Sequence, residues 1–256
     1  MRKGFAMTDE GQASTELENI AFIGATLAPF FLEDPRTGNA GAAFAALGAL
    51  DVKEAAPEWP FVVPDEAERD LGLMVRGLAS SGAAGAGAHA AGAGDRGGAD
   101  ADAEEPDFDQ MAAAFHADDD LMWEYRRLFV GPAEKPAPPW GSVYTDRECV
   151  VFGASTLDLR AWMREHGIAR TTDEKTPEDH IGLMLALMAW IAANQPADLD
   201  EYLRLHLLTW SSHYLDELAE AAEHPFYEGL ARLTKASLEG IQAARRIDVE
   251  YPRFYR

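Results

Sequence analysis

The residues best suited to metal chemistry are an Asp-His pair and two further histidines in the second half of the chain. Asp179 and His180 are adjacent, and His206 and His213 are seven positions apart, so they share a helix face. Carboxylate and imidazole groups are common zinc ligands, so these residues suggest a metal-dependent hydrolase. The alternative is structural, because His206 lies in the apolar stretch LRLHLLTW. We favour the structural interpretation.

Other enzyme motifs are missing from the sequence. It contains no phosphate-binding loop, no GxGxxG or GxSxG motif and no HExxH. The single cysteine, Cys149, rules out an intrachain disulfide framework and a cysteine-rich metal site, and no local feature activates it as a nucleophile. We therefore predict no catalytic residue, no metal site and no cofactor.

The Asp179-His180 pair has a second possible role at a helix start. Thr176 is a good N-cap, and Pro177 and the acids after it suit the first helical turn. Asp179 is then explained by the helix dipole, but His180 is not. A histidine just inside a helix start can present its ring to a neighbouring groove, and the sequence leaves both interpretations open.

A stripe of large apolar residues precedes an unusual proline-rich stretch. Tyr125, Leu128 and Phe129 share a helix face by spacing, and such stripes usually belong to the core. Their helix ends at Gly131-Pro132. The stretch PAPPWGSVY (136–144) follows, which is too stiff for a helix and too apolar for a solvent loop. A rigid loop that holds Trp140 near helix ends is typical of a peptide-binding groove.

Helical periodicity elsewhere predicts an all-α protein. No βαβ pattern and no internal repeat is present. The segment TDRECVVFG (145–153) is either a short strand pair or an extended connector. We predict a single large helical bundle-like domain, whose helices cover 15–32, 40–55, 63–79, one or two segments within 108–130, and then 155–166, 176–194, 199–222 and 225–246.

One segment interrupts this helical pattern. Residues 79–107 are almost entirely Ala, Gly and acids, with nothing to bury, and we predict a disordered insertion there. The flanking parts are an N-terminal helical part (12–78) and a helical core (108–248), which we expect to form one compact fold.

Charge and hydropathy narrow the class of partner. The chain carries 44 acidic and 22 basic residues, a net charge of -22, which repels the phosphates of nucleic acid and favours a basic partner. No run approaches the roughly 18 apolar residues of a membrane span, and MRKGFAMTDE lacks a signal-peptide core. We expect a cytoplasmic protein that is not an integral membrane protein.

Several of these motifs occur together in one known family. LFVGP, PAPPWGSVYTDRE, FGASTLDLRAWMREHGI, PEDHIGLMLALMAW and HPFYEGLARLT, in that order, resemble the DmsD/TorD family of Tat proofreading chaperones, and the DmsD branch most. The resemblance is dense over residues 123–238. It implies an all-helical chaperone that binds the twin-arginine signal peptide of a molybdopterin-containing reductase until the cofactor is loaded.

The resemblance also implies a set of signal-peptide-binding residues. They are Tyr125, Leu128, Phe129, Trp140, Gly141, Ser142, Tyr144, Asp179 and His180. Arginines of a signal suit bidentate carboxylate contacts, so Asp179 or a neighbouring acid is expected to pair with one. The partners implied are the signal peptide, the reductase precursor that carries it, and possible components of the Tat translocase.

This chain departs from the family pattern at three places. Thr176 stands where the family commonly has Glu, Tyr125 where relatives carry Trp, and the Ala/Gly insertion is extra. Two alternatives remain open beside signal binding. One is a chaperone that inserts cofactor into the folded subunit independently of its signal, and the other is the metal-dependent hydrolase.

Overall fold

Eleven α-helices make up most of the part of the chain that the computed structural model describes, which is residues 9–35, 40–80, 120–131, 133–170 and 176–256. The first four are α1 (Asp9–Leu32), α2 (Gly41–Gly48), α3 (Val52–Ala55) and α4 (Pro64–Ser80). Then come α5 (Asp120–Tyr125), α6 (Gly141–Thr145), α7 (Ala154–Glu165) and α8 (Ile181–Asn194). The last three are α9 (Leu199–Tyr202), α10 (Ser211–Ala221) and α11 (Pro225–Arg245).

The described residues contain no strand, only an isolated bridge between Trp140 and His180, so the predicted all-α class is confirmed. Two π-helical turns, Arg126–Val130 and Leu203–Leu207, continue α5 and α9. The predicted disordered segment 79–107 begins too early, because residues 79 and 80 belong to α4; residues 81–107 lie outside the described residues.

Three long helix pairs carry the core. α1 packs along α8, α4 packs along α11, and α10 packs along α11. Gly24 allows the first approach, because a side chain there would collide with the backbone carbonyl of Leu185. The interior is continuous and apolar, with aromatic rings such as Phe30, Phe31 and Phe226 fully or almost fully buried.

Several predicted helix bounds are confirmed and others are wrong. α4 and α11 begin at Pro64 and Pro225 as predicted, and α7 ends just before Gly167, whose φ is 68°. The predicted helix over 40–55 is broken, because the Asp51 carboxylate caps a separate α3. The predicted helix over 199–222 is broken by the second π-helical turn and a turn at 208–210.

The N-terminal helix begins earlier than predicted. α1 starts at Asp9, so Thr15 lies inside the helix and does not cap it; its hydroxyl donates to the carbonyl of Gly11 at 3.0 Å.

The proline-rich stretch is also partly helical, against the prediction. α6 begins directly after Trp140, so the non-helical, proline-rich part of the stretch ends at that residue. The segment 146–153 forms turns rather than strands, with positive φ at Cys149 and Phe152. Among the described helices, none is both long and apolar enough to cross a membrane.

Candidate functional site

Two segments far apart in sequence meet at the centre of the predicted site. The amide of Ile181 donates to the carbonyl of Pro139 at 2.9 Å, and the amide of Gly141 donates to the carbonyl of Asp179 at 3.1 Å. These bonds pair Trp140 with His180 in an antiparallel bridge. The proline loop and the Asp-His segment are therefore one structural unit.

Asp179 serves the start of α6 and not the start of its own helix. Its Oδ2 accepts from the amide of Ser142 at 2.8 Å, and α8 begins only at Ile181. The prediction of a first-turn acid after a Thr176 cap is therefore wrong. Burial raises the pKa of the Asp179 carboxyl, and hydrogen bonding from the Ser142 amide, together with the nearby Ser142 and Thr156 hydroxyls, opposes that rise.

His180 is the residue that caps α8. Its Nδ1 accepts from the amide of Gly182 at 3.2 Å, and the side chain is buried. Burial lowers the pKa of His180 to about 3, so the ring is neutral at physiological pH. The ring meets Trp140 edge to face with centroids 5.7 Å apart, so His180 supports the indole from behind.

Trp140 is the predicted site residue with an accessible side chain. All nine predicted residues are described, and the other eight are buried. Lys135 places its Nζ 5.7 Å from the centre of the indole ring, a cation–π distance. A partly exposed indole on a rigid loop is a ready apolar contact for an extended peptide.

α6 fixes the other residues of the proline stretch. A Cβ at Gly141 would lie 2.7 Å from Nε1 of Trp210, so the helix start requires a residue without a side chain. Tyr144 stacks on Trp210 with ring centroids 5.9 Å apart, and burial raises the pKa of its hydroxyl. Ser142 is fully buried. These three residues position the loop.

Tyr125, Leu128 and Phe129 belong to the core next to this unit. The Tyr125 hydroxyl donates to the carbonyl of Leu32 at 2.8 Å, and the Phe129 ring lies 6.0 Å from that of Phe31. Leu32 and Phe31 also contact α8 at Gly182, directly after His180. The end of α1 therefore connects the two groups of predicted residues, which all lie in one region.

Sequence reasoning missed the role of the segment that follows α11. Arg256 donates to the carbonyl of Pro136 at 2.7 Å, and the amide of Tyr255 donates to the carbonyl of Tyr144 at 3.0 Å. Phe254 stacks on His213 with ring centroids 4.4 Å apart. The aromatic residues in EYPRFYR could have indicated this packing from the sequence. We call residues 247–256 the closing segment, and it braces the proline loop.

The suggested metal ligands do not form a site. His213 lies against Phe254, whereas the His206 ring lies 5.5 Å from that of Trp162. Within the described ranges, no group of three or more His, Cys, Asp or Glu residues is placed to hold a metal ion.

Sequence comparison with known proteins identifies relatives of this chain. A family model described as "Nitrate reductase delta subunit" matches residues 98–224, which include all nine predicted site residues. A probable Tat proofreading chaperone DmsD from Haemophilus influenzae is 50% identical over 133 residues, 52% of this chain and 66% of that protein.

Two further relatives extend this match. The Tat proofreading chaperone DmsD of Salmonella typhimurium is 44% identical over 149 residues, 57% of this chain and 73% of that protein. The chaperone protein TorD of Shewanella pealeana is 24% identical over 123 residues, 45% of this chain and 56% of that protein. The chain therefore belongs to the DmsD/TorD family, whose named members here are chaperones and not enzymes.

Proposed function

We propose that this protein is a cytoplasmic chaperone for the twin-arginine signal peptide of a molybdopterin-containing reductase, of the dimethyl sulfoxide reductase type. It holds the signal while the cofactor is loaded and so delays export. Relatives at 44% and 50% identity that are named Tat proofreading chaperones support this proposal. The binding chemistry needs no catalysis, because capture and release suffice.

The observation that carries the proposal is the pairing of the Trp140 loop with the Asp179-His180 segment. It holds the partly exposed Trp140 and the buried Asp179 in one structural unit. A twin-arginine signal combines basic residues with an apolar stretch, so one site offers both kinds of contact. Trp140 supplies one apolar contact, and Asp179 supplies negative charge.

The buried predicted residues have a supporting role in this proposal. Tyr125 and Phe129 contact the end of α1, which packs against the start of α8, and Leu128 is buried in the same core. Tyr144 packs α6 against Trp210. Substitutions at these positions are expected to weaken signal binding through the shape of the loop. His180 acts in the same way, through Trp140.

The partner proposed is the whole reductase precursor, with its signal as the recognised element. Cofactor loading precedes export, so the encounter takes place in the cytoplasm. Transfer of the loaded precursor to components of the Tat translocase would be the last step before export. The family membership is compatible with these partners.

A pull-down with two forms of the client tests the proposal. Tagged chaperone is incubated with reductase precursor and with the same subunit lacking its signal. Retention of the precursor alone supports a signal chaperone. Equal retention of both forms would favour the alternative of a cofactor-insertion chaperone that acts on the folded subunit.

A further inference from the structure

A cleft of about 380 Å³ opens beside the Trp140 loop, between α6, α7, the second π-helical turn and the closing segment. Its apolar walls come from Leu159, Met184 and Trp210, and its acids are Asp158, Asp179 and Glu250. None of the described residues that line it is a lysine or an arginine. The cleft therefore combines an apolar lining with negative charge.

Asp179 is the buried acid among the residues that line this cleft. Its side chain is only 3% exposed, and Oδ2 is used by the Ser142 amide. Within the described structure, Oδ1 makes no hydrogen bond of normal geometry, although the Ser142 and Thr156 hydroxyls are near. A buried carboxylate oxygen without a donor is costly, so a cationic donor from outside would stabilise this site.

The mouth of the cleft adds two accessible acids. Asp158 on α7 and Glu250 in the closing segment are both exposed. His206, on the second π-helical turn, also lines the cleft, and its Nε2 has no hydrogen-bond partner within the described structure. Desolvation lowers the pKa of His206 to about 4, so it adds no positive charge at neutral pH.

An exposed apolar ridge lies on the turn before α7 and on the first part of α7, which also carries the cleft residues Ser155 and Asp158. Val150, Val151, Phe152 and Leu157 are 49%, 39%, 48% and 56% exposed, and Leu157 precedes Asp158 on α7. The guanidinium of Arg160 lies 5.1 Å from the centre of the Phe152 ring. The chain forms the ridge through a turn in which Phe152 has φ 68°. Exposed apolar side chains grouped beside a polar cleft mark an interaction surface. The acidic cleft suits the basic segment of a twin-arginine signal, and the apolar ridge suits the apolar segment that follows it.

We propose that this cleft receives one arginine side chain of the signal peptide, while the ridge of Val150, Val151, Phe152 and Leu157 receives the apolar segment. This inference rests on the proposed function and assigns residues to it. The arginine stem packs on Leu159 and Met184, and the guanidinium faces Asp179 and Asp158. A guanidinium has five donors in a planar fork, whereas an ammonium is a compact point charge, so the cleft favours arginine over lysine.

The first test is fluorescence anisotropy with a labelled synthetic twin-arginine peptide. Asp158→Lys is expected to raise the Kd at least tenfold, since it places a cation at the mouth of the cleft. Glu68→Lys is the matched control, because Glu68 is exposed on α4 and the change in net charge is identical. The control is expected to stay within twofold of the unchanged protein.

The outcomes separate this inference from the proposed function. If the unchanged protein binds no such peptide, the proposed function fails. If it binds and both lysine variants weaken it equally, only the general charge matters and the cleft assignment is overturned. Glu250→Lys repeats the test from the closing segment, and a melting curve for each variant identifies any that is unfolded.

The ridge is tested by shortening the peptide. Leu157→Ser is expected to weaken binding of a peptide with its apolar segment several-fold, and to leave a peptide with the basic stretch alone unchanged. Val63→Ser is the control, because Val63 is 61% exposed and lies just before α4. Equal effects of Leu157→Ser on both peptides, or of both variants on the long one, would overturn the ridge assignment.

Discussion

Asp179 is a residue whose position costs stability and whose chemistry suits binding. Burial raises the pKa of its carboxyl, so the folded state favours the protonated form. A raised folded pKa gives a contribution that is present below the unfolded pKa and is lost as pH rises through the folded pKa. At pH values above the folded pKa, the charged Asp179 therefore lowers the free energy of unfolding. Such a cost is typical of a functional group.

The substitution Asp179→Asn separates these two effects. Asn can still accept the Ser142 amide, so we expect the free energy of unfolding at neutral pH to rise by on the order of 1 kcal/mol. The gain is expected to shrink as pH falls toward the range where Asp179 is protonated. Urea unfolding at several pH values measures this. Signal-peptide affinity is expected to fall at least tenfold in the same variant. A less stable variant with unchanged affinity would contradict this account.

At the scale of elements, the short helix α6 is held by one close contact. A Cβ at Gly141 would lie 2.7 Å from the Trp210 indole, and Trp210 is buried against Tyr144. A buried ring is close-packed by its neighbours and can shift only a little. Any side chain at this position therefore shifts the start of α6, and with it Trp140.

Gly141→Ala is expected to destabilise the protein by about 1–3 kcal/mol, the usual range for overpacking. Gly41→Ala is the matched control, because a Cβ there meets nothing within 4 Å at the start of α2. That change is expected to be neutral, or stabilising by up to about 1 kcal/mol. Urea unfolding midpoints of the two variants measure the difference. An equal effect in both would show that the Trp210 contact is unimportant.

The sequence predicted where α4 and α11 begin, but it missed the starts of α1 and α8 and the breaks that separate the short helices. α4 and α11 have proline starts and strong amphipathic patterns, and both begin as predicted. The start of α8 was misplaced because the amide of Ile181 bonds to the carbonyl of Pro139, a contact between distant segments. Local capping preferences at Thr176 could not reveal that pairing.

The resemblance implied nine site residues, and the fold brings them into one region. Their role in signal binding stays a prediction, and their geometry could not be derived from the sequence. Their burial depends on what packs over them, such as Trp210 on Tyr144 and Phe31 on Phe129. The acids Asp158 and Glu250 belong to no motif, and only the packing of α7 and the closing segment places them on one cleft.

At the scale of the whole molecule, we expect the net charge of -22 to raise the rate at which the proposed signal peptide is captured. A negative field attracts a basic peptide, and salt screens that field over about 8–10 Å at physiological ionic strength. We expect the association rate constant to fall about tenfold between roughly 50 mM and 500 mM salt. The dissociation rate is expected to change much less.

Stopped-flow fluorescence at several salt concentrations measures both rates. A peptide with its arginine pair replaced by alanine is the control, and its association is expected to depend less on salt. An association rate that does not change with salt would show that the acidic surface has no part in capture.

The central claim is that the Trp140 loop and Asp179 together bind a twin-arginine signal. The most direct measurement is a titration of the purified protein with a labelled signal peptide, beside a peptide whose arginine pair is alanine and beside Trp140→Ala protein. The account predicts saturable binding that each change weakens at least tenfold. Binding that survives both changes, or no binding by the unchanged protein, would contradict it.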